Sequence, residues 1–205
     1  MFDVFENYLR DYGIFDFGEL DLIRSVSVCK SLNKKNYLLR EGDISRHKTF
    51  VCRGCLRSYR LDKDATEHIL SFAIERRWIN DEVSFHMAEP SSTIIDALED
   101  SEVIQWSNEN FARLLTTVPA FNLFYSKHLE ESLNEKQRRI VSILSNNAQE
   151  RYADFIHNFP KLYNRIPLYM IASYLGMSRE TISRARSCNQ YSGYDHNRGS
   201  ILGVT

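Results

Sequence analysis

Apolar residues in this chain recur with two different periods, and the change of period divides it. Phe2, Phe5, Leu9 and Tyr12 return every three or four residues and predict a short amphipathic helix at the N-terminus. From Asn36 to Trp106 the pattern becomes a series of short β-rich runs. Lys48 to Leu61 contains two such runs around Arg53-Gly54, which reads as a hairpin turn, and Asp62-Lys63-Asp64-Ala65 reads as a second turn. Leu70, Phe72 and Ile74 alternate with Ser71 and Ala73, as in a strand with one buried face. Thr93 to Leu98 and Val103 to Trp106 are further strands on either side of the acidic turn Glu99-Asp100. Many short strands separated by turns predict a small barrel or jelly roll.

Helical spacing returns near Ser107. Pro119 suits the first position of a helix. No Gly or Pro follows before Leu144, so the rod would be about 40 Å long at ~1.5 Å per residue. Tyr125, Leu129, Leu133, Ile140 and Leu144 form an apolar stripe along it, interrupted at Lys136-Gln137. Such a stripe suits packing on the chain's own barrel or the seam of a two-helix dimer, and the dimer is the preferred expectation. Asn146-Asn147 breaks the pattern, another helix runs to about His157, and residues 189–205 lack periodicity and read as a loose tail.

Residues 168–187 carry the most specific pattern. Ile171 and Leu175 share one face of a helix, and Ala172 is small enough to let a second helix cross closely. Gly176 stands where a sharp corner needs a positive φ. Ser178 can cap the next helix, and Ile182 and Ala185 face back onto the first. Arg179, Glu180, Ser183, Arg184 and Arg186 are left for solvent. This is the pattern of a helix-turn-helix, a motif that lays its second helix in the major groove of DNA.

Charge supports that reading. The chain of 205 residues has a net charge of -1 and is no basic nucleic-acid binder as a whole. Residues 136–188, however, carry nine Lys and Arg against three Asp and Glu, so the excess positive charge coincides with the motif. No stretch approaches the ~18 apolar residues of a membrane span, and Asp3 and Glu6 stand too near the start for a signal peptide. A soluble cytoplasmic protein is expected. Cys29, Cys52, Cys55 and Cys188 are too scattered for a disulfide framework, and the six histidines lack zinc spacing. No metal site, cofactor, phosphate loop or nucleophile elbow is expected.

The order of short helix, barrel, long helix and C-terminal helix-turn-helix resembles the cyclic-AMP receptor protein and fumarate-nitrate regulator (Crp/Fnr) family of bacterial transcription factors. The residues that carry the resemblance are Ile171-Ala172-Ser173-Tyr174-Leu175-Gly176-Met177-Ser178-Arg179-Glu180-Thr181-Ile182-Ser183-Arg184, with support from Leu39-Arg40-Glu41-Gly42-Asp43 and Ala97-Leu98-Glu99-Asp100-Ser101-Glu102-Val103. It covers about residues 20–187. It implies that Arg179, Glu180 and Arg184 read base edges. Arg donates two hydrogen bonds to guanine and Glu accepts from cytosine N4. Ser178 and Ser183 are better suited to phosphates, and Arg186 is expected among the DNA-binding residues.

The family's cyclic-nucleotide site is not matched. Its Gly-Glu pair for the ribose becomes Asn80-Asp81, and its Arg for the cyclic phosphate becomes Ser91, followed by Ser92 and Thr93, with no cation expected nearby. An anion buried without a partner is costly. The pocket is therefore expected to keep the shape of a nucleotide site without its chemistry. Phe17-Gly18-Glu19-Leu20 imitates the ribose motif but precedes the barrel, and is set aside as coincidence. An iron–sulfur cluster needs about four clustered cysteines. Cys52-Arg53-Gly54-Cys55 offers two, a redox pair at most. The usual β wing after the recognition helix is missing or reduced to something within Tyr194–Val204.

The expected fold is α+β. It comprises a cyclic-nucleotide-binding-like jelly-roll sensor over 1–118, a dimerisation helix over 119–145, a helix-turn-helix domain over 146–188 and a disordered tail over 189–205. The expected function is a homodimeric transcription regulator, not an enzyme, that reads a palindromic operator without control by cyclic AMP. Its partners would be double-stranded DNA and, as a further candidate, RNA polymerase, with any small-molecule effector unidentified. Three alternatives stay open: a cyclic-nucleotide-responsive regulator with an atypical pocket, a thiol redox protein using Cys52 and Cys55, and a scaffold with a vestigial helix-turn-helix that does not bind DNA.

Overall fold

The computed structural model describes residues 1–195 of the chain. It divides into two units whose boundary, Leu133 to Asn134, lies inside one helix. The first unit runs α1 (Phe2–Arg10), α2 (Phe17–Ser25), β1 (Val28–Leu32), β2 (Tyr37–Leu39), β3 (His47–Arg53), β4 (Leu56–Leu61), β5 (Glu67–Ala73), β6 (Arg77–Trp78), α3 (Glu82–Met87), β7 (Ile94–Ala97), β8 (Ser101–Ser107), α4 (Asn108–Thr117) and the first half of α5 (Pro119–Ser145). The second holds the rest of α5, then α6 (Ala148–Asn158), α7 (Leu168–Leu175) and α8 (Arg179–Asp195).

The strands form two antiparallel four-stranded sheets, ordered β1-β8-β3-β6 and β2-β7-β4-β5, in a jelly-roll-like α+β unit. Alternation along β3 and β8 divides their residues between two cores. Val51 pairs with Val103, and both join Leu32 and Ile79 against Leu39, Leu56, Ala73, Ile95 and Ala97 of the second sheet. Phe50 pairs with Ile104 and joins Trp106 in a second cluster beneath α1, α2, α4 and α5. Phe5 of α1 is fully buried there, with ring centroids 4.7 Å from Trp106 and 4.8 Å from Phe50. The Trp106 indole N–H donates to the Ile23 carbonyl of α2 at 3.1 Å. On the second sheet, Arg57 ties three strands together. It donates to Asp96 at 2.8 and 3.0 Å and forms a second paired contact with Glu67.

Several local expectations are corrected. Lys48–Leu61 is not a hairpin, because β3 pairs with β6 and β8 while β4 pairs with β5 and β7. Arg53-Gly54-Cys55 instead carries the chain from one sheet to the other, so that Val51 and Leu56 reach one interior from opposite walls. The hairpin lies at the next turn, between β4 and β5. There the Asp62 carboxylate accepts from the backbone N–H groups of Asp64 and Thr66, each at 2.9 Å.

In β5, Ile69 and Phe72 are buried while Leu70 is exposed, and Ile74 lies past the strand end. A register shift at Ser58/Tyr59 changes which residues face inward. Phe17-Gly18-Glu19-Leu20 is the first turn of α2, with Asp16 and Glu19 forming a reciprocal capping box. Strand β1 begins before the expected barrel, and with four of its five residues exposed it shows no alternation.

Helix α5 begins at Pro119 as expected, but Phe121, Phe124 and Tyr125 belong to the core of the first unit. That unit therefore extends past residue 118. Residues 189–195, expected in the tail, are helical, because α8 continues to Asp195. Once a helix is nucleated, each added residue gains a hydrogen bond. The remainder of the expected tail, residues 196–205, lies outside the described residues, as does nearly all of the segment considered for a wing. Among the described residues no helix is long and apolar enough to cross a membrane.

Gly54 has φ +100°, and a Cβ there would lie 2.7 Å from the Ser101 Cα. Gly54→Ala is expected to lose roughly 1–3 kcal/mol of stability in urea denaturation, through combined strain and clash. A variant as stable as wild type would show that the corner between the sheets adjusts freely.

Candidate nucleic-acid interface and barrel pocket

Helix α7 ends at Gly176, whose φ of 64° and ψ of 42° place it in the left-handed region that closes a helix and turns the chain. Ser178 then caps α8: its hydroxyl accepts from the Thr181 backbone N–H at 3.1 Å. Ile171, Ala172, Leu175, Ile182 and Ala185 are buried, which fixes one face of each helix inward. Ser178, Arg179, Glu180, Ser183, Arg184 and Arg186 are all exposed.

The Arg179 guanidinium lies 5.3 Å from the ring centroid of Tyr169, and that of Arg186 lies 5.9 Å from Tyr163. Arg184 Nε donates to the backbone carbonyl of Glu180 at 3.4 Å, so the pair one turn apart meets through the backbone. The Glu180 carboxyl is held below its ordinary pKa by its own backbone N–H and the Ser178 hydroxyl, with the charges of Arg184 and Arg179 adding to the effect. The first two turns of α8 thus present two exposed cations and one carboxylate, groups able to donate to guanine and accept from cytosine.

In the barrel, Asn80, Asp81, Ser91 and Thr93 come together around α3, and Ser92 does not, being exposed. Asp81 is the N-cap of α3, accepting from the backbone N–H groups of Val83 at 3.0 Å and Ser84 at 3.2 Å. Its other oxygen accepts from the buried Ser91 hydroxyl at 2.7 Å, and Ser91 Oγ in turn accepts from the Thr93 N–H at 2.9 Å. Burial pushes the Asp81 pKa up, but the bonds from Ser91, Ser84, Thr93 and Val83 outweigh it and hold the carboxyl below its ordinary range.

The expectation of no nearby cation is corrected. Arg60 of β4 places Nε 3.4 Å from the Thr93 hydroxyl, a cross-strand approach that no linear alignment displays.

Sequence reading also missed the neighbour of Asp81. Glu82 pairs with the buried Lys48 of β3, whose ammonium lies 4.7 Å from the Phe85 ring centroid, 5.4 Å from Tyr125 and 5.8 Å from Phe111. Burial raises the Glu82 pKa, but Lys48 and Asn80 lower it further, so the net direction is down. The available signal was Lys48 itself, two residues from Phe50 and hence on the same inward face. A charge there demands a counter-charge.

Cys52 and Cys55 are buried free thiols at the corner between the sheets. Burial pushes the Cys52 pKa up to about 12, so it stays protonated and unreactive near neutrality. This weakens the redox alternative. Among the described residues no cluster of His, Cys, Asp and Glu is placed to hold a metal ion.

Comparison with known proteins places this architecture. The model of the cyclic nucleotide-binding domain matches residues 29–118, the strands together with α3 and α4. The anaerobic regulatory protein of Haemophilus influenzae is 26% identical over 166 residues, covering 76% of this chain and 64% of its own length. The fumarate and nitrate reduction regulatory protein of Vibrio cholerae is 26% identical over 179 residues, covering 82% of this chain and 71% of its own. Residues 29–118 thus match a cyclic nucleotide-binding domain, and over most of its length the chain is similar to regulators of the Crp/Fnr type. The match spans less than two thirds of the Haemophilus relative. Among solved structures, FixK2 from Bradyrhizobium japonicum has the same fold, with a TM-score of 0.69 at 20% identity over 88% of this chain and 89% of its own.

The Asp81 cap has a pH signature. Its lowered carboxyl pKa stabilises the fold above the unfolded value near ~3.9, and the gain is lost as pH falls through the folded value. Asp81→Ala is expected to lose about 1–2 kcal/mol at pH 7, with the gap to wild type narrowing below pH ~4. Urea titrations across that range measure it. A constant gap would show that the carboxylate charge contributes nothing.

Proposed function

We propose that the protein is a homodimeric transcription regulator that reads double-stranded DNA with the first turns of α8 and does not take cyclic AMP as its effector. The carrying observation is the helix-turn-helix with Arg179, Glu180 and Arg184 exposed on α8 above a buried apolar face. Regulators among its relatives support the same reading. Ser178, Ser183 and Arg186 are assigned to phosphate contacts, which position without specifying. The dimer is supported by α5, where Leu129, Leu133, Ile140, Val141 and Leu144 are all exposed. Tyr125, the first residue of the expected stripe, is instead buried in its own unit. A two-fold dimer calls for a palindromic operator with half-sites about 10 bp apart or a multiple of that. RNA polymerase is a candidate partner, and no catalytic role is assigned.

Selection of sites from random DNA with the purified protein tests this reading. A palindromic site is expected, and Arg184→Ala should cost ~1–3 kcal/mol of specific binding while relaxing one base position. Equal losses on the selected site and on random duplex would assign Arg184 to phosphate alone.

Effector independence rests on Asp81, which occupies the N-terminus of α3 with a negative charge of its own. The hydroxyls of Ser91 and Thr93 are engaged in this arrangement. Neutral hydrogen bonds are worth only ~0.5–1.5 kcal/mol each, too little to replace a missing cation. Arg60 favours a second reading, in which an anionic effector still enters the pocket from its side. Calorimetric titration with cyclic AMP and cyclic GMP separates them: no binding is expected, and operator affinity should not change. Micromolar binding accompanied by tighter operator binding would establish the second reading.

A further inference from the structure

Two arginines of the second unit converge on one end of α7. Arg139 of α5 donates from Nη2 to the Tyr174 carbonyl at 2.7 Å, and its guanidinium lies 3.8 Å from the centroid of the Tyr174 ring. Arg151 of α6 donates from Nη1 to the Leu175 carbonyl at 3.0 Å. The last four carbonyls of a helix have no partner within it. In α7 the turn itself supplies two of the four bonds: the Met177 N–H donates to Ala172 at 2.9 Å and the Gly176 N–H to Ser173 at 3.2 Å. Arg139 and Arg151 supply the other two, from two different helices. Cations at this end also complement the helix dipole.

We propose that Arg139 and Arg151 are positioning residues for DNA reading, a clamp that sets the angle at which the chain leaves α7 for α8. The proposal rests on the reading of α8 as the recognition helix. The corner between the clamped carbonyl of Leu175 and the cap at Ser178 contains only Gly176 and Met177. A glycine in the left-handed region has little intrinsic preference for that conformation, so the corner keeps its angle only if something outside it holds the end of α7. Bidentate base reading depends on that angle, whereas phosphate contact tolerates displacement. Two of the nine basic residues of 136–188 therefore serve to orient the reader rather than to contact DNA. Arg139 also makes the clamp responsive. It belongs to the helix proposed as the dimer seam, so a rotation of α5 about its axis withdraws the donor from Tyr174 and loosens the corner.

The test compares Arg139→Met, Arg139→Lys and Arg151→Met with wild type in the full-length protein. Arg139→Met is expected to weaken binding to the selected operator about tenfold, with less than about twofold change on random duplex and an unaltered base preference. Arg139→Lys, which keeps a donor able to reach the carbonyl, should recover most of the loss. Without DNA, hydrogen exchange at the amides of residues 176–182 should quicken in both Met variants. Arg151→Met reports on the same corner from α6 should Arg139→Met fail to fold. Unchanged exchange together with wild-type operator binding would overturn the clamp, as would equal losses on operator and random DNA. Faster exchange in a protein whose wild type selects no operator would overturn the DNA reading instead and leave the clamp standing.

Discussion

The aromatic cluster on the outer face of the first sheet is the contact on which the sensor-like unit depends. Phe5, Phe50, Trp78, Trp106 and Phe124 meet with ring centroids 4.7–6.5 Å apart, mostly edge to face. Such pairs add about 0.5–1.5 kcal/mol each beyond the area they bury. They join residues from α1, β3, β6, β8 and α5, and so bury both faces of the β1-β8-β3-β6 sheet. The start of α5 is thereby part of the barrel's core rather than a linker after it.

Two adjacent carboxylates then divide the work of the pocket loop. Asp81 turns toward the N-terminus of α3 and Ser91, closing the loop on itself. Glu82 turns the other way, to Lys48 in its box of Phe85, Phe111 and Tyr125. Because Tyr125 belongs to α5, the loop and the start of that helix meet around the buried Lys48. Within the second unit, the later part of α5 supplies Arg139 to the corner after α7.

The helix-turn-helix was legible because its determinants are local. Spacing at 3.6 residues places Ile171 and Leu175 together, Gly176 permits the corner, and Ser178 finds its partner three residues on. The capping box of Asn147 and Glu150 marks the start of α6 by the same logic. The barrel was legible only in kind. Short runs with turns between them announced strands, yet whether β3 meets β4 or β8 depends on residues some fifty positions away. Strand β1 carried no alternation, since four of its five residues are exposed at a sheet edge. Helix α2 was concealed because Phe17-Gly18-Glu19-Leu20 resembled a ligand motif.

The sequence by itself determined the period of each segment, the order of elements, the corner at Gly176 and the side-chain chemistry that α8 offers. It also placed Ser91 where the resemblance expects an Arg. Only the tertiary structure decided where the isolated charges go. It set Arg60 beside Thr93, Glu82 against Lys48, and Arg139 and Arg151 on the carbonyls of α7. The reason is physical: backbone preference and amphipathic period act over a few residues. A buried charge or an unpaired carbonyl is satisfied by whichever group the fold brings near, and that depends on the folded chain as a whole.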